Sequence, residues 1–379
     1  MKVAHLSDLH FGKMLHNFSL IEDQKYIISQ IQNILIEQKV QIVMICGDIY
    51  DKNIASIEAI HLFEDFLQFL VDNNIQILII SGNHDSQDRL TFGRAFMKKS
   101  GIHFSKCFDG SVSSVTLNDE FGPLNFYLLP FIKPIDVRHI YPDEEINSYE
   151  AAVKCVLKNI KLNLQERNVI LCHQNILNAE HCDSEDVVIG SLDAIASSVF
   201  SNFDYTALGH IHKPQFIGQD NKIRFCGTPL KYSISEMDDE KSVTVINFLE
   251  KGKTDFEFIP LKPLREIRRI TGKFEDIINN VKNDLYNKED FIDIVLQDEI
   301  EVTDAIYKLR FVYKNILQIG YDNSRTKSDS SIQELHKIQT ADPVQLFDEF
   351  YQNRNGIKMN DEQTEYIKSL VEKIWEKSE

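Results

Sequence analysis

The sequence predicts an α/β layered fold that is followed by a smaller α+β unit and a helical tail. Three observations support this prediction. Apolar runs of strand length alternate with helical patterns through the first 110 residues or so, which is typical of layered α/β proteins. The pattern becomes rich in strands between residues 203 and 260, and the composition changes again after the segment 260–263.

The first part of the chain contains three apolar runs separated by two amphipathic helices. The run at residues 75–80 has a single polar residue, Gln76, which indicates a strand buried on both faces. Similar strands are predicted at residues 3–7 and 40–46. The first helix is expected over residues 21–38, and the second carries Ile60, Phe63, Leu67 and Leu70 on one stripe.

The middle of the chain is expected to form shorter strands and one further helix. Strand patterns occur between residues 111 and 135, a helix is predicted over residues 149–164, and a strand over residues 168–172 leads to His173. Residues 242–249 and 255–259 meet across a Glu-Lys-Gly-Lys segment, which predicts a hairpin.

The last third of the chain is interpreted as two further regions. Residues 264–322 read as strand, helix, strand, helix, strand, and the polar stretch 323–331 resembles a linker. A helix begins at Asp342-Pro343, and the final helix has an apolar stripe that ends at Trp375. We therefore predict domains at residues 1–262 and 263–325, with residues 326–379 forming a linker and helical tail.

The composition does not decide whether this protein binds nucleic acid. The net charge of −17 opposes phosphate binding, because clustered Lys and Arg supply most of the affinity for nucleic acid. Local basic runs are nevertheless present, but for each run taken alone a solvated face is the favoured interpretation. The basic candidates are Arg89, Arg94, Lys98, Lys99, Lys262, Arg265, Arg268, Arg269 and Lys273.

The expected location is the cytoplasm. No apolar run approaches the roughly 20 residues that a membrane helix needs, and the first residues read as a strand instead of a signal peptide. The six cysteines show no CxxC pairing, so reduced thiols are expected instead of a disulfide framework or a zinc site.

Polar residues follow five of the predicted strands at their carboxyl ends. Ligand sites of open α/β sheets lie at this edge. Carboxylates, imidazoles and an amide oxygen together suit first-row divalent metals. One ion needs three or four protein ligands, so this set predicts two ions. The residues are Asp8, His10, Asp48, Asn83, His84, His173, His210 and His212.

Each of these residues also has a structural interpretation. A single histidine is more often hydrogen-bonded or exposed than a ligand, Asp48 or Asp85 could cap a helix, and Asn83 could occupy a turn. Five apolar runs that all end in Asp, Asn or His favour the metal site over these alternatives. The remaining histidines lack this context and are expected to be structural or exposed.

The motifs resemble the five signature motifs of the calcineurin-like metallophosphoesterases. They are Asp8-Leu9-His10, Gly47-Asp48-x-x-Asp51, Gly82-Asn83-His84-Asp85, the isolated His173 and Gly209-His210-x-His212. The resemblance implies a four-layer β-sandwich flanked by helices. It also implies two divalent ions, most often manganese, with Asp48 between them.

The resemblance further implies a role for each residue. Asp8, His10, Asp48 and His212 would hold the first ion. Asp48, Asn83, His173 and His210 would hold the second. His84 would act on the substrate phosphate, oriented by Asp51 or Asp85.

The whole chain is similar to nuclease members of this family that act with an ATPase subunit in DNA repair, recombination and replication. This similarity implies double-strand 3′–5′ exonuclease and single-strand or hairpin endonuclease activity. It also implies a homodimer through helices of the nuclease domain, an ATPase partner bound by the tail, and a small domain that guides DNA. The expected DNA contacts are Arg89, Arg94, Lys231, Arg268 and Arg269.

Two other functions remain open at this stage. The same fold can serve a small-molecule phosphodiesterase or phosphatase, and the motifs alone do not separate the two. The small unit and the amphipathic tail favour the nuclease. A non-catalytic scaffold is the second alternative, but a scaffold should have gaps among the eight positions, and this chain has none.

Overall fold

The computed structural model describes residues 1–185, 193–280, 287–323, 343–355 and 358–377. The chain divides into two compact units. The first unit comprises residues 1–185 and 194–322, and the second contains the two C-terminal helices.

The first large sheet has six strands, and four of them run parallel at its centre and one edge. The spatial order is β14-β13-β1-β4-β5-β6. Strands β1, β4, β5 and β6 are mutually parallel, and the hairpin β13–β14 pairs with β1 through an antiparallel β13. The bounds are β1 Lys2–Leu6, β4 Ile42–Cys46, β5 Gln76–Ile80, β6 Ile102–Phe104, β13 Ser242–Phe248 and β14 Thr254–Pro260.

The second large sheet also has six strands, in the order β11-β12-β10-β9-β8-β7. Strands β8, β9, β10 and β12 are mutually parallel, and β7 and β11 run antiparallel at the two edges. The bounds are β7 Ser113–Asp119, β8 Gly122–Leu128, β9 Arg167–His173, β10 Tyr205–Gly209, β11 Gln215–Ile217 and β12 Ile223–Phe225. A small ribbon pairs β2 Met14–Leu15 with β3 Phe18–Ser19.

The two sheets pack face to face, and alternate residues of each strand enter different cores. Along β4, Met44 and Cys46 contribute to the core between the sheets, whereas Val43 and Ile45 join the core that contains apolar residues of the first two helices. Both faces of the central strands are therefore buried, which is why their sequences read as continuous apolar runs. The predicted layered α/β fold and the sandwich flanked by helices are confirmed.

Helices cover the outer faces of this sandwich. Ser56 caps the second helix by accepting the Ala59 amide hydrogen at 3.2 Å. The helix predicted over residues 149–164 ends at Lys158, because the Asn159 side chain donates to the Cys155 carbonyl and closes the last turn. The bounds are α1 Ile21–Glu37, α2 Ile57–Asp72, α3 Gln87–Leu90, α4 Arg94–Met97, α5 Pro134–Ile140 and α6 Tyr149–Lys158.

A three-stranded parallel sheet follows the hairpin, and its strands alternate with helices in the order that the sequence pattern predicts. Its order is β15-β16-β17, and Ile267, Phe291 and Leu317 share the core of the first large sheet. The bounds are β15 Ile267–Gly272, α7 Phe274–Asn280, β16 Phe291–Leu296, α8 Ala305–Arg310 and β17 Ile316–Tyr321. We refer to residues 267–321 as the small α+β unit.

The second compact unit contains the helices α9 Pro343–Asn355 and α10 Asp361–Lys377. The predicted linker falls, apart from Asn323, outside the described residues. Among the residues that are described, no helix combines the length and apolar character needed to span a membrane.

Candidate metal centre

The predicted site residues meet at one edge of the sandwich, where the parallel strands of both sheets end. Asp8 and His10 follow β1, Asp48 follows β4, and Asn83 and His84 follow β5. From the second sheet, His173 ends β9, and His210 and His212 follow β10. The structure therefore brings all eight residues from five strand ends to the same edge.

The first group of potential ligands contains Asp8, His10 and His212. Their donor atoms all lie within 4.8 Å of one another. The Nε2 atoms of His10 and His212 are 3.2 Å apart, and Asp48 Oδ2 lies 3.7 Å from His10 Nε2. Two imidazole nitrogens at this separation, beside two carboxylates, form a suitable donor set for a divalent ion.

The second group surrounds the side-chain oxygen of Asn83. Asn83 Oδ1 lies 3.0 Å from both His173 Nε2 and His210 Nδ1. Asp48 Oδ2 is 3.3 Å from His173 Nε2. Because the same Asp48 oxygen also lies close to His10, the Asp48 carboxylate faces both groups.

Close backbone approach at the strand ends explains two of the glycines. A Cβ on Gly82 would lie 2.1 Å from Asp48 Oδ1, and one on Gly209 would lie 2.0 Å from the Cys46 carbonyl oxygen. Asp8 and Asp48 also adopt the left-handed region, with φ of 51° and 50°, which is uncommon for residues other than glycine. Backbone strain of this kind is concentrated at functional sites.

Burial keeps three of the imidazoles neutral. It lowers the pKa of His210 to about 3 and the pKa of His10 and His212 well below the ordinary value. Burial would also lower the pKa of His173, but the charge of Asp48 outweighs it and raises the pKa of His173 to about 9. Burial, reinforced by the charge of Asp48, raises the pKa of Asp8 to about 7.

The donor set fits divalent metal ions. Neutral imidazoles carry the lone pairs that a metal requires, and a bound cation would offset the repulsion between the buried carboxylates of Asp8 and Asp48. The residues of the two groups are thus suited to hold two ions.

His84 lies at the rim of this cluster and is partly exposed. Its Nδ1 donates to the main-chain carbonyl of Asp51 at 2.9 Å, because a carbonyl oxygen can only accept. Its Nε2 lies 3.9 Å from Asp48 Oδ2. The Asp51 carbonyl thereby orients the ring.

The carboxylates of Asp51 and Asp85 make other contacts. Asp51 Oδ1 pairs with Lys13 Nζ at 2.8 Å and lies 3.8 Å from His10 Nδ1. Asp85 accepts amide hydrogens from Ile49 at 3.1 Å and Gly82 at 2.9 Å. Asp85 therefore ties together the turns that carry Asp48 and Asn83.

Most of the basic side chains that are predicted to bind DNA form ion pairs or hydrogen bonds with neighbouring residues of the protein. Lys231 pairs with Glu266 at 2.8 Å, and Arg268 pairs with Asp290 at 2.8 Å. Arg269 pairs with Asp293 at 2.6 Å and also lines a cavity of about 790 Å³ together with Lys13 and Tyr232. Arg89 donates to the Asn53 carbonyl at 3.4 Å, and Arg94 begins α4.

Several residues of the site were not found from the sequence. Ser184 Oγ lies 2.6 Å from His212 Nδ1, and Glu185 accepts the His212 amide hydrogen at 2.7 Å. Gln24 donates to the His10 carbonyl at 2.7 Å. Gln24 could have been recognised as a polar residue next to the buried stripe of α1, whereas Ser184 and Glu185 lie in a polar loop without periodicity.

Comparison with known proteins gives the class first. The family profile described as calcineurin-like phosphoesterase matches residues 1–214, and the chain belongs to this family. It is therefore a metal-dependent phosphoesterase. The profile described as type 5 capsule protein repressor C-terminal domain matches residues 263–355.

The chain is similar to a particular curated protein over nearly its whole length. It is 30% identical over 378 residues to the SbcD subunit of the nuclease SbcCD from Staphylococcus epidermidis, covering 98% of each chain. Among solved structures, a dimetal phosphatase from Danio rerio matches 68% of this chain and 95% of its own at 12% identity, with a TM-score of 0.42.

Proposed function

We propose that this chain is the nuclease subunit of an SbcCD complex and hydrolyses DNA phosphodiester bonds with two manganese ions. The observation that supports this proposal most strongly is that the carboxylate of Asp48 lies close to both groups of potential metal ligands. The similarity to the SbcD subunit over 98% of the chain supports the substrate class. The activities that we propose are 3′–5′ exonuclease on duplexes and endonuclease on single strands and hairpins, in repair, recombination and replication.

We assign the first ion to Asp8, His10, Asp48 and His212, and the second to Asp48, Asn83, His173 and His210. When bound, a pair of divalent ions provides a strong nucleophile at neutral pH and neutralises charge on phosphoryl oxygens. The contribution of the protein is to hold these donors at the ends of strands that are packed on both faces, which fixes their spacing.

His84 acts on the substrate in this proposal. Its Nδ1–H is held by the Asp51 carbonyl, so Nε2 is the atom that we assign to the substrate phosphate. A protonated Nε2 stabilises charge on the phosphoryl group or gives its proton to the departing oxygen as a general acid. Asp51 orients the ring through its main chain, and Asp85 positions it indirectly by holding the turn after β5.

DNA contacts are proposed on both sides of the centre. Arg269 is the best placed of the small α+β unit, since it is 47% exposed and lines the same cavity as Lys13. Arg89 and Arg94 belong to the segment after the Asn83 turn, and Lys231 and Arg268 complete the set of proposed contacts. In this proposal, residues 263–325 guide duplex DNA toward residues 1–262.

A homodimer is proposed through an apolar surface of the nuclease domain that is formed by α2, the residues just before α2 and the helical segment that follows β5. Ile54, Ile57, Phe92 and Phe96 are all at least 70% exposed. Ile54 and Phe92 line a cavity of about 590 Å³ that is rich in apolar residues. A patch of this kind on a folded protein marks an interaction site, and two copies can bury it symmetrically.

The C-terminal helices are proposed to bind the SbcC ATPase. Phe350 of α9 and Tyr366 of α10 are exposed. An amphipathic helix with apolar residues on one side can dock into a groove of a partner. The name of the similar protein, one component of SbcCD, supports a partner of this kind.

Cleavage assays test this proposal. End-labelled duplex DNA and bis-(p-nitrophenyl) phosphate are incubated with manganese and the wild-type chain or its Asp48→Ala variant. We expect the wild type to cleave DNA and the variant to lose both activities. If the wild type hydrolyses the small diester but does not cleave DNA, even after the ATPase partner is added, the nuclease proposal is contradicted. That result would favour a small-molecule phosphodiesterase.

A further inference from the structure

The ring nitrogen of His212 that faces away from the two ligand groups has a defined partner. His212 Nδ1 lies 2.6 Å from Ser184 Oγ. The same hydroxyl oxygen lies 2.6 Å from Glu236 Oε1. Three side chains that are distant in sequence therefore form one continuous chain of hydrogen bonds, which ends at a proposed metal ligand.

Glu236 is held firmly in place at the far end of this series of hydrogen bonds. It is fully buried, and its Oε2 pairs with Lys241 Nζ at 2.7 Å. Its Oε1 also accepts the Tyr232 amide hydrogen at 3.1 Å and the Ser233 hydroxyl hydrogen at 3.0 Å. A carboxylate with a buried cation and several donors is held both in charge and in position.

A count of the hydrogens fixes the direction of each bond. A carboxylate only accepts, and a serine hydroxyl has a single hydrogen, so Ser184 donates to Glu236. Its oxygen then accepts, and the hydrogen in the bond to His212 must come from Nδ1. The reverse arrangement would place lone pairs of two oxygens against each other at 2.6 Å. Cys182 Sγ lies 3.1 Å from the second lone pair of Ser184 and 3.4 Å from Glu185 Oε1, so these two oxygens are both acceptors for the single thiol hydrogen.

The consequence for His212 is a single tautomer. With hydrogen on Nδ1, the Nε2 atom of a neutral ring carries a lone pair. That atom lies 3.2 Å from His10 Nε2, in the first group of ligands. Partners of this kind fix the orientation of metal-ligating histidines in proteins.

We propose that Ser184 and Glu236 are positioning residues that hold His212 as the Nδ1–H tautomer and thereby set the affinity of the first metal site. This inference rests on the proposed two-metal function. It adds two residues outside the signature motifs, one in the loop before residue 186 and one after β12, to the residues that determine metal binding.

Calorimetric titration of the metal-free protein with manganese tests the proposal. The variants are Ser184→Ala, which lacks the hydroxyl, and Ser184→Thr, which retains it. Ser233→Ala is the matched control, because it removes another donor to Glu236 Oε1 without touching His212. We expect Ser184→Ala to weaken one of two sites about 10-fold or more, and the other two variants to stay within about twofold of the wild type.

A second readout follows the tautomer itself. In ¹⁵N-histidine-labelled, metal-free protein, the resonances that disappear in His212→Asn are assigned to His212. We expect a protonated Nδ1 and an unprotonated Nε2 in the wild type and in Ser184→Thr, and a mixture of tautomers in Ser184→Ala. Unfolding temperatures of the metal-free variants verify that each one is folded.

The outcomes separate this inference from the proposed function. If the wild type binds two ions and Ser184→Ala binds both with unchanged affinity, the positioning role is wrong and the two-metal centre stands. If the wild type binds no manganese, both the proposed function and the inference are wrong.

Discussion

The metal centre and the small α+β unit differ in how their charged side chains are arranged. Opposite charges are paired in the small unit, whereas two like charges lie together in the centre. In the small unit, Arg268 and Arg269 each contact an aspartate at or near the neighbouring strand, at 2.8 and 2.6 Å. In the centre, the carboxylates of Asp8 and Asp48 are buried together beside the charged imidazole of His173, and the charge of Asp48 contributes to the raised pKa of Asp8.

The difference separates charged side chains that stabilise the folded chain from charged side chains that are suited to bind a cation. Paired charges satisfy each other in the folded chain, so their replacement mainly costs stability. Like charges that are buried together oppose folding, and proteins retain such clusters where a bound cation uses them. Substitutions in the two regions test this contrast.

The largest expected effect is a lower rate of DNA cleavage when His84, at the rim of the metal centre, is replaced. His84→Ala removes the proposed general acid, and we expect the rate of DNA cleavage to fall by about 10²–10⁴-fold. Manganese binding should remain, because His84 is outside both proposed ligand sets. His61→Ala is the control, since His61 is an exposed histidine on α2. Normal turnover by His84→Ala would contradict the assignment.

Asp8→Asn should stabilise the metal-free protein while abolishing metal-dependent activity. The pKa of Asp8 is raised to about 7 in the folded chain, above its value of about 3.9 in the unfolded chain. Its ionisation therefore opposes folding, and removing it should raise the unfolding free energy by about 4 kcal/mol at pH 8. Urea unfolding in a chelator measures this difference.

The same variant has a defined pH dependence. A folded-state pKa above the unfolded value means that stability is complete below about pH 4 and is lost as the pH rises through about 7. The advantage of Asp8→Asn should therefore grow up to about pH 7 and level off above it. An advantage that does not change with pH would contradict the raised pKa.

Asp293→Asn should have the opposite sign. The Asp293 side chain is 1% exposed and accepts hydrogen bonds from Arg269 at 2.6 Å and from Gln318 at 3.1 Å. Because Arg269 is half exposed, solvent screens the pair, and we expect a loss of about 1–2 kcal/mol. Urea unfolding checks this value. Stabilisation by Asp293→Asn would remove the contrast with the metal centre.

The smallest effect concerns DNA affinity. Arg269→Gln should weaken DNA binding about 2–5-fold at moderate salt and reduce the salt dependence by about one phosphate contact. Fluorescence anisotropy over a series of salt concentrations measures both quantities. A change in stability without a change in the salt slope would make Arg269 purely structural.

The layered α/β fold and the strand-end positions of the eight candidate residues could be predicted because both depend on local patterns, whereas the sandwich was implied by the resemblance of the motifs. Strands that are buried on both faces have continuous apolar sequences, and the residues that follow parallel strands meet at one edge. Asp8 follows the apolar run of β1, and His173 ends the apolar run of β9 much later in the chain. The pattern could therefore be recognised without any knowledge of contacts.

The surroundings of these residues could not be predicted, because they depend on contacts that are distant in sequence. The basic run that contains Arg268 and Arg269 resembled a DNA-binding surface. Arg269 also pairs with an acid of β16, because β15 and β16 pair in parallel with Arg269 opposite Asp293. Ser184 and Glu236 are likewise 52 positions apart, and no periodicity in the sequence relates them.

The central claim is that Asp48 joins two metal sites. Native mass spectrometry of the metal-free chain, titrated with manganese, counts the bound ions directly, and Asp48→Ala is the matched variant. The account predicts two ions per chain in the wild type and loss of at least one in Asp48→Ala. A single ion in the wild type, or two ions that remain in the variant, would contradict it.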